Sequence, residues 1–135
     1  MAFANLVIQI GILLLIGLSL LLKRKKMFVW HGNVMLVAVM INGLLLISHM
    51  GPSLIYLLRE EIPILDSVAF VGLFHGMVGA VAEFIGIWLV GTWAYVQPET
   101  RYCIKRKKLM RTILAFWIIA LVLGFLYYIL HIVWG

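Results

Sequence analysis

Four histidines are the side chains of this sequence best suited to chemistry, and three of them fall at one depth on three separate apolar segments. His49, His75 and His131 each lie 21 or 22 residues from the basic end of their own segment, counted from Met27, Val96 and Leu109. At ~1.5 Å of rise per residue, each stands about 32 Å from that end, near the far edge of a bilayer's hydrocarbon core. Ionisable side chains are costly at such depth and usually face a bundle interior, a ligand or a partner. Two facing imidazoles are the usual way to hold a low-spin haem b, and three can bind copper or zinc. His49, His75 and His131 are therefore the expected cofactor-binding and metal-binding residues, for haem b or alternatively copper. Interhelical hydrogen bonding is the competing use of the same rings. Met50 beside His49 and Met77 near His75 are compatible with copper(I), although methionine is also ordinary filler.

The remaining polar residues divide by depth. His31, Met35, Asn42 and His49 lie close to one helical stripe, because steps of four and seven return to nearly the same face. His75, Gly79, Ala82 and Gly86 form a second stripe, with Glu83 ~80° around from His75 at ~100° per residue. Asn42 and Glu83 stand at matching heights of ~22 Å and ~20 Å, which makes Asn42 the expected partner of the carboxyl. An ionised carboxylate there is expensive, so Glu83 is expected to be protonated or hydrogen-bonded, as a proton-handling group or as a tether. His31 neighbours Trp30 at the basic end and is expected to be a solvated interfacial histidine. The spacing Gly72-xxx-Gly76 permits close approach of another backbone or a flat ligand. Cys103 stands among cations that favour its thiolate, or else has no role. There is no phosphate loop, HExxH, carboxylate pair or serine with a base at its level, so no catalytic residue is assigned.

These residues need elements to position them, and composition dictates which. A chain of 135 residues that is 65% hydrophobic and 12% charged has more apolar surface than a soluble domain can bury. Four apolar runs, about 3–22, 27–50, 66–96 and 109–134, are each long enough to cross a bilayer. The first is taken as a retained helix, since a basic cluster follows it and no small-residue cleavage site is present. Gly51-Pro52 is expected to break or bend the second helix, with Ser53–Leu58 as a short interfacial turn. Lys23-Arg24-Lys25-Lys26 and the cluster from Arg101 to Arg111 make the first and third loops cytoplasmic, against an acidic second loop. The expected fold is an all-α, integral membrane four-helix bundle, a single transmembrane domain with N and C termini outside. Trp30, Trp93 and Tyr95 then form an inner aromatic belt, and Tyr56 and Trp134 an outer one. The net charge of +6 is explained by topology, which argues against nucleic acid as a partner. One cysteine excludes an internal disulfide framework.

Several segments, in this order, resemble a known family. They are Lys23-Arg24-Lys25-Lys26 with His31 and Met35, and Leu73-Phe74-His75 followed by Gly76-Met77-Val78-Gly79-Ala80-Val81. The basic Lys105–Arg111 then leads into Phe116-Trp117 and Gly124-Phe125-Leu126-Tyr127-Tyr128. Together they resemble the CtaM-type cytochrome oxidase maturation proteins over nearly the whole chain. The resemblance implies a role in maturing haem-copper terminal oxidases, with involvement in haem or metal handling and no defined catalytic reaction. Only His31 and His75 match its histidine pattern. Where relatives often carry a histidine before the fourth helix, this chain has Lys105-Arg106-Lys107-Lys108, and His49 and His131 lie outside the pattern.

The leading expectation is a multi-pass cell-membrane accessory protein for maturation of a respiratory haem-copper oxidase, handling haem or copper near the outer face. The alternatives are a small b-type cytochrome passing electrons between a quinol and an outer acceptor, and a non-catalytic structural subunit. The expected partners are the lipid bilayer and either further copies of the chain or a larger respiratory membrane complex.

Overall fold

The apolar runs form helices because nothing in them competes. They are rich in Leu, Ile, Val and Ala, and in lipid every backbone N–H must find its carbonyl within the segment. The structure, a computed structural model, describes residues 2–59, 67–96 and 100–134. Helix α1 (Ala2–Arg24) carries Lys23 and Arg24 in its last turn, where cations suit the dipole. Two residues beyond its end stands Lys26, whose φ of 60° is left-handed. The Lys26 N–H bonds the Lys23 carbonyl and the Met27 N–H bonds that of Leu22, both at 3.0 Å. This Schellman closure turns the chain within two residues, so α2 (Phe28–Leu45) lies antiparallel beside α1.

Gly51-Pro52, expected to break or bend the second span, does not break it. A π-helical turn, Leu46–Met50, carries the chain directly into α3 (Gly51–Arg59), and the apolar stretch long enough to cross a membrane runs Phe28–Tyr56. The Gly51 N–H reaches back five residues to the Leu46 carbonyl. Pro52, which lacks a donor, therefore falls in the first turn of α3, where proline is tolerated. The Ser53 hydroxyl bonds the His49 carbonyl at 2.8 Å.

Helix α4 (Ser67–Val96) is followed by the short α5 (Thr100–Lys105) and by α6 (Lys107–Trp134). The basic third loop is thus itself helical. Arg106, between α5 and α6, lies over the rings of Trp88 and Tyr102, 4.9 Å and 5.9 Å from their centroids. The acidic second loop and Asp66, expected to begin the third helix, lie outside the described residues.

Four helices are long and apolar enough to cross a membrane, and no strand occurs among the described residues, which makes this an all-α four-helix bundle and a multi-pass membrane protein. Helix α4 packs on α6 and on α2, and α1 packs on α2. Ile12, Ile16, Val39, Ala82 and Trp117 meet in the core. Trp93 belongs to this interior and not to an aromatic belt. It is 6% exposed, because Gly32 on α2 leaves room for its ring. Trp30, Tyr56 and Tyr95 are exposed, and the Trp134 side chain lies outside the described residues.

Candidate functional site

A half-open cleft of about 370 Å³ lies between the helices at the end of the bundle away from the basic loops. His49 reaches it from the π-turn, His75 from α4 and His131 from α6, so rings matched by depth also share one cavity. They do not gather into a metal centre. Among the described residues, no group of three His, Cys, Asp or Glu side chains has the geometry to hold a metal ion. The expected three-imidazole copper or zinc site is therefore not assembled. Shared height sets the level of three rings but not the direction in which each points.

His75 differs from the other two. Its Nδ1–H donates to the Ala120 carbonyl on α6 at 2.7 Å, which fixes the tautomer and leaves the Nε2 lone pair free. The ring lies against Gly124, where a Cβ would come within 2.8 Å of Cε1. His49 and His131 are exposed, and the His131 ring stacks on Tyr127 at 6.1 Å between centroids. Tyr127 in turn lies against Gly72, and Leu54 against Gly76. The Gly72-xxx-Gly76 gap thus receives side chains, not a second backbone.

A polar chain leads from the cleft into the bundle. The Gln9 amide donates to Asn42 Oδ1 at 3.1 Å, and Asn42 Nδ2 donates to Glu83 Oε2 at 2.6 Å, linking α1, α2 and α4. Glu83 is 3% exposed, and its Oε1 has no partner. Asn5 and Gln9, one turn apart on α1, also line the cleft, as do Tyr127 and Tyr128. Sequence reasoning passed over Asn5 and Gln9. The available signal was polarity at i, i+4 in an otherwise apolar run, because such side chains on a membrane helix turn inward.

At the basic end, His31 is not solvated. It is 6% exposed, with Nδ1 2.6 Å from the Ser19 hydroxyl and 2.9 Å from the Ser19 carbonyl. The same hydroxyl donates to the His31 carbonyl at 3.0 Å. The residue clamps α2 to α1, because the tight turn at Lys26 brings Ser19 beside it.

Cys103 departs from expectation in the same way. It is 3% exposed, and burial pushes its thiol above the usual thiol range, while the nearby Lys23 opposes this more weakly. The neighbouring cations therefore do not produce a thiolate. In folded protein at pH 8, Cys103 should react with a neutral alkylating reagent roughly tenfold or more slowly than a free thiol, and unfolding should restore the free rate. An equal rate in both states would place the sulfur at the surface. A raised thiol stabilises the fold in its protonated form. That contribution is complete below about pH 8.5 and is lost as pH rises through the raised value.

No family model, curated protein or solved structure matches the chain.

Proposed function

We propose that this chain is a cell-membrane accessory protein for maturation of a respiratory haem-copper oxidase, and that it receives haem b in the histidine-lined cleft. The observation that carries the reading is the His75 ring. Its Nδ1 is spent on a backbone carbonyl and its Nε2 is left as a free lone pair beside a cavity, which is how ligating histidines are usually held. A cleft of about 370 Å³ falls within the ~300–1,000 Å³ of ligand pockets, and its half-open side suits a flat apolar ligand with one edge in lipid. His49 and His131 at its edge are the candidate second ligands. The family resemblance supports the oxidase context. In this reading the basic loops face the cytoplasm by the positive-inside rule, with the opposite end and both termini outside. Further copies of the chain or the oxidase complex itself are the expected protein partners.

The same hydrogen bond favours one other reading, because it also ties α4 to α6: a structural subunit whose histidines only join helices. Optical spectra separate the two. The accessory reading expects purified protein titrated with haem to show reduced α and Soret bands near one haem per chain. His75→Ala should remove them. Gly124→Ala should weaken them, because its Cβ displaces the ring while leaving an imidazole present. Deletion of the chain should lower oxidase activity. A featureless spectrum with wild-type oxidase activity after deletion would establish the structural reading. A haem that stays bound and cycles with quinol, again with unchanged oxidase, would make the protein a small b-type cytochrome.

A further inference from the structure

A second cavity, about 110 Å³, lies at the basic end of the bundle, walled by α1, α2, α4, α5 and α6. Helix α1 packs closely on α2, α2 on α4 and α4 on α6, whereas α1 and α6 scarcely meet. The cavity opens through that seam. Leu20 of α1 and Arg111 of α6 both line it, and both are exposed at the bundle surface as well. Its walls are largely apolar, with Ile16, Leu20, Leu89 and Leu114 among them. The α1 wall runs from Ile16 to Lys23 and the α6 wall from Met110 to Trp117, so Lys23 and Arg111 stand together at the loop end of the cavity. Lys23 is half-buried there, while Arg24, Lys25 and Lys26 are exposed. It also lies near enough to Cys103 on α5, in the same wall, to act on the thiol.

Topology asks for cations at this end of the helices, but not for an open apolar slot between two of them. Charge selects what fills it. Apart from Arg59, every Lys and Arg of the chain stands on this side, against the single acid Glu99, which lies outside the described residues. The one described carboxyl, that of Glu83, is buried and bonded to Asn42. Neither Lys23 nor Arg111 therefore has a carboxylate partner among the described residues. A second copy of the chain in the same orientation would bring more cations to this end and be repelled. A zwitterionic lipid would bring its own cation beside the two already present. An anionic lipid brings a phosphate to the cations and a hydrocarbon chain to the slot. We propose that the α1–α6 seam holds one anionic phospholipid from the leaflet facing the basic loops. Its phosphate sits between Lys23 and Arg111, and part of one acyl chain occupies the cavity. The lipid closes the side of the bundle that helix packing leaves open, and it does not depend on what fills the larger cleft.

The test is native mass spectrometry of the full-length chain in detergent, with phosphatidylglycerol and phosphatidylcholine of identical acyl chains added in equal amounts. Each cation near an anionic headgroup contributes roughly fivefold, so one phosphatidylglycerol per chain should be retained roughly thirtyfold over phosphatidylcholine. Lys23→Gln and Arg111→Gln should each lower that ratio roughly fivefold. Lys25→Gln and Lys26→Gln, outside the cavity wall, should each lower it by less than about twofold, because exposed charges are screened. Leu20→Trp puts bulk into the seam at an exposed position and leaves every charge in place, so it should expel the lipid with helical content unchanged. Leu20→Ala should keep the lipid. Inorganic phosphate should not displace it, having no chain to bury. Equal retention of the two lipids would overturn the proposal. So would equal losses from Lys25→Gln and Lys23→Gln, which would mean attraction to the whole basic face. Displacement by inorganic phosphate, or retention that survives Leu20→Trp in folded protein, would reduce the site to two cations without a lipid slot. A dimer that excludes lipid and dissociates with Leu20→Trp would put a second copy in the seam instead.

Discussion

Gly32→Ala should destabilise the bundle by about 3 kcal/mol, the upper part of the range for forcing extra volume into a packed interior. A Cβ at this position would lie 2.2 Å from Cζ2 and 2.3 Å from Cη2 of Trp93, well inside contact distance. Trp93 is buried against α2, so either its ring or the backbone of α2 must give way. Unfolding in detergent, followed by helical circular dichroism, measures this loss of stability. Because the two residues touch, their changes should not add. Gly32→Ala made on a Trp93→Leu background should cost little beyond Trp93→Leu alone. An unchanged midpoint for Gly32→Ala in the wild-type background would mean that the helices are not this close.

Asn42→Leu should cost about 2–3 kcal/mol, more than its two hydrogen bonds alone account for. Interhelical side-chain bonds in membranes average ~0.6 kcal/mol, so losing those to Gln9 and Glu83 removes only about 1 kcal/mol. The larger part comes from the carboxyl left behind. Glu83 is buried and already has one oxygen without a partner, and the leucine removes the donor serving the other. Leaving such a group unsatisfied costs ~1–3 kcal/mol or more. Glu83→Gln keeps an acceptor for Asn42 and should stay within about 1 kcal/mol of wild type. The double variant Asn42→Leu/Glu83→Met removes the stranded group and should recover most of the loss. Denaturant titration in detergent reads all three. A double variant as unstable as Asn42→Leu alone would show that lost packing, and not the unpaired carboxyl, accounts for the cost.

The four spans were legible in the amino-acid order because bilayer thickness sets how long an apolar run must be and basic clusters mark where it stops. Depth was legible for the same reason. A constant rise carries each residue a known distance from its anchored end, so Asn42 falls level with Glu83, and His49, His75 and His131 fall together. Rotation about the helix axis and the identity of the neighbour are not carried by that count. They depend on which helices touch, and they decided most of the chemistry. His31 looks solvated beside four basic residues until the turn at Lys26 brings Ser19 against it. Trp93 looks like an anchor until Gly32 opens a place for its ring. Cys103 looks activated by cations until α5 buries it. Gly51-Pro52 looks like a break until the π-turn supplies the missing register. The tertiary structure alone determined that three level histidines share a cleft without forming a tris-imidazole centre, because a metal needs lone pairs that converge and a common depth does not make them do so.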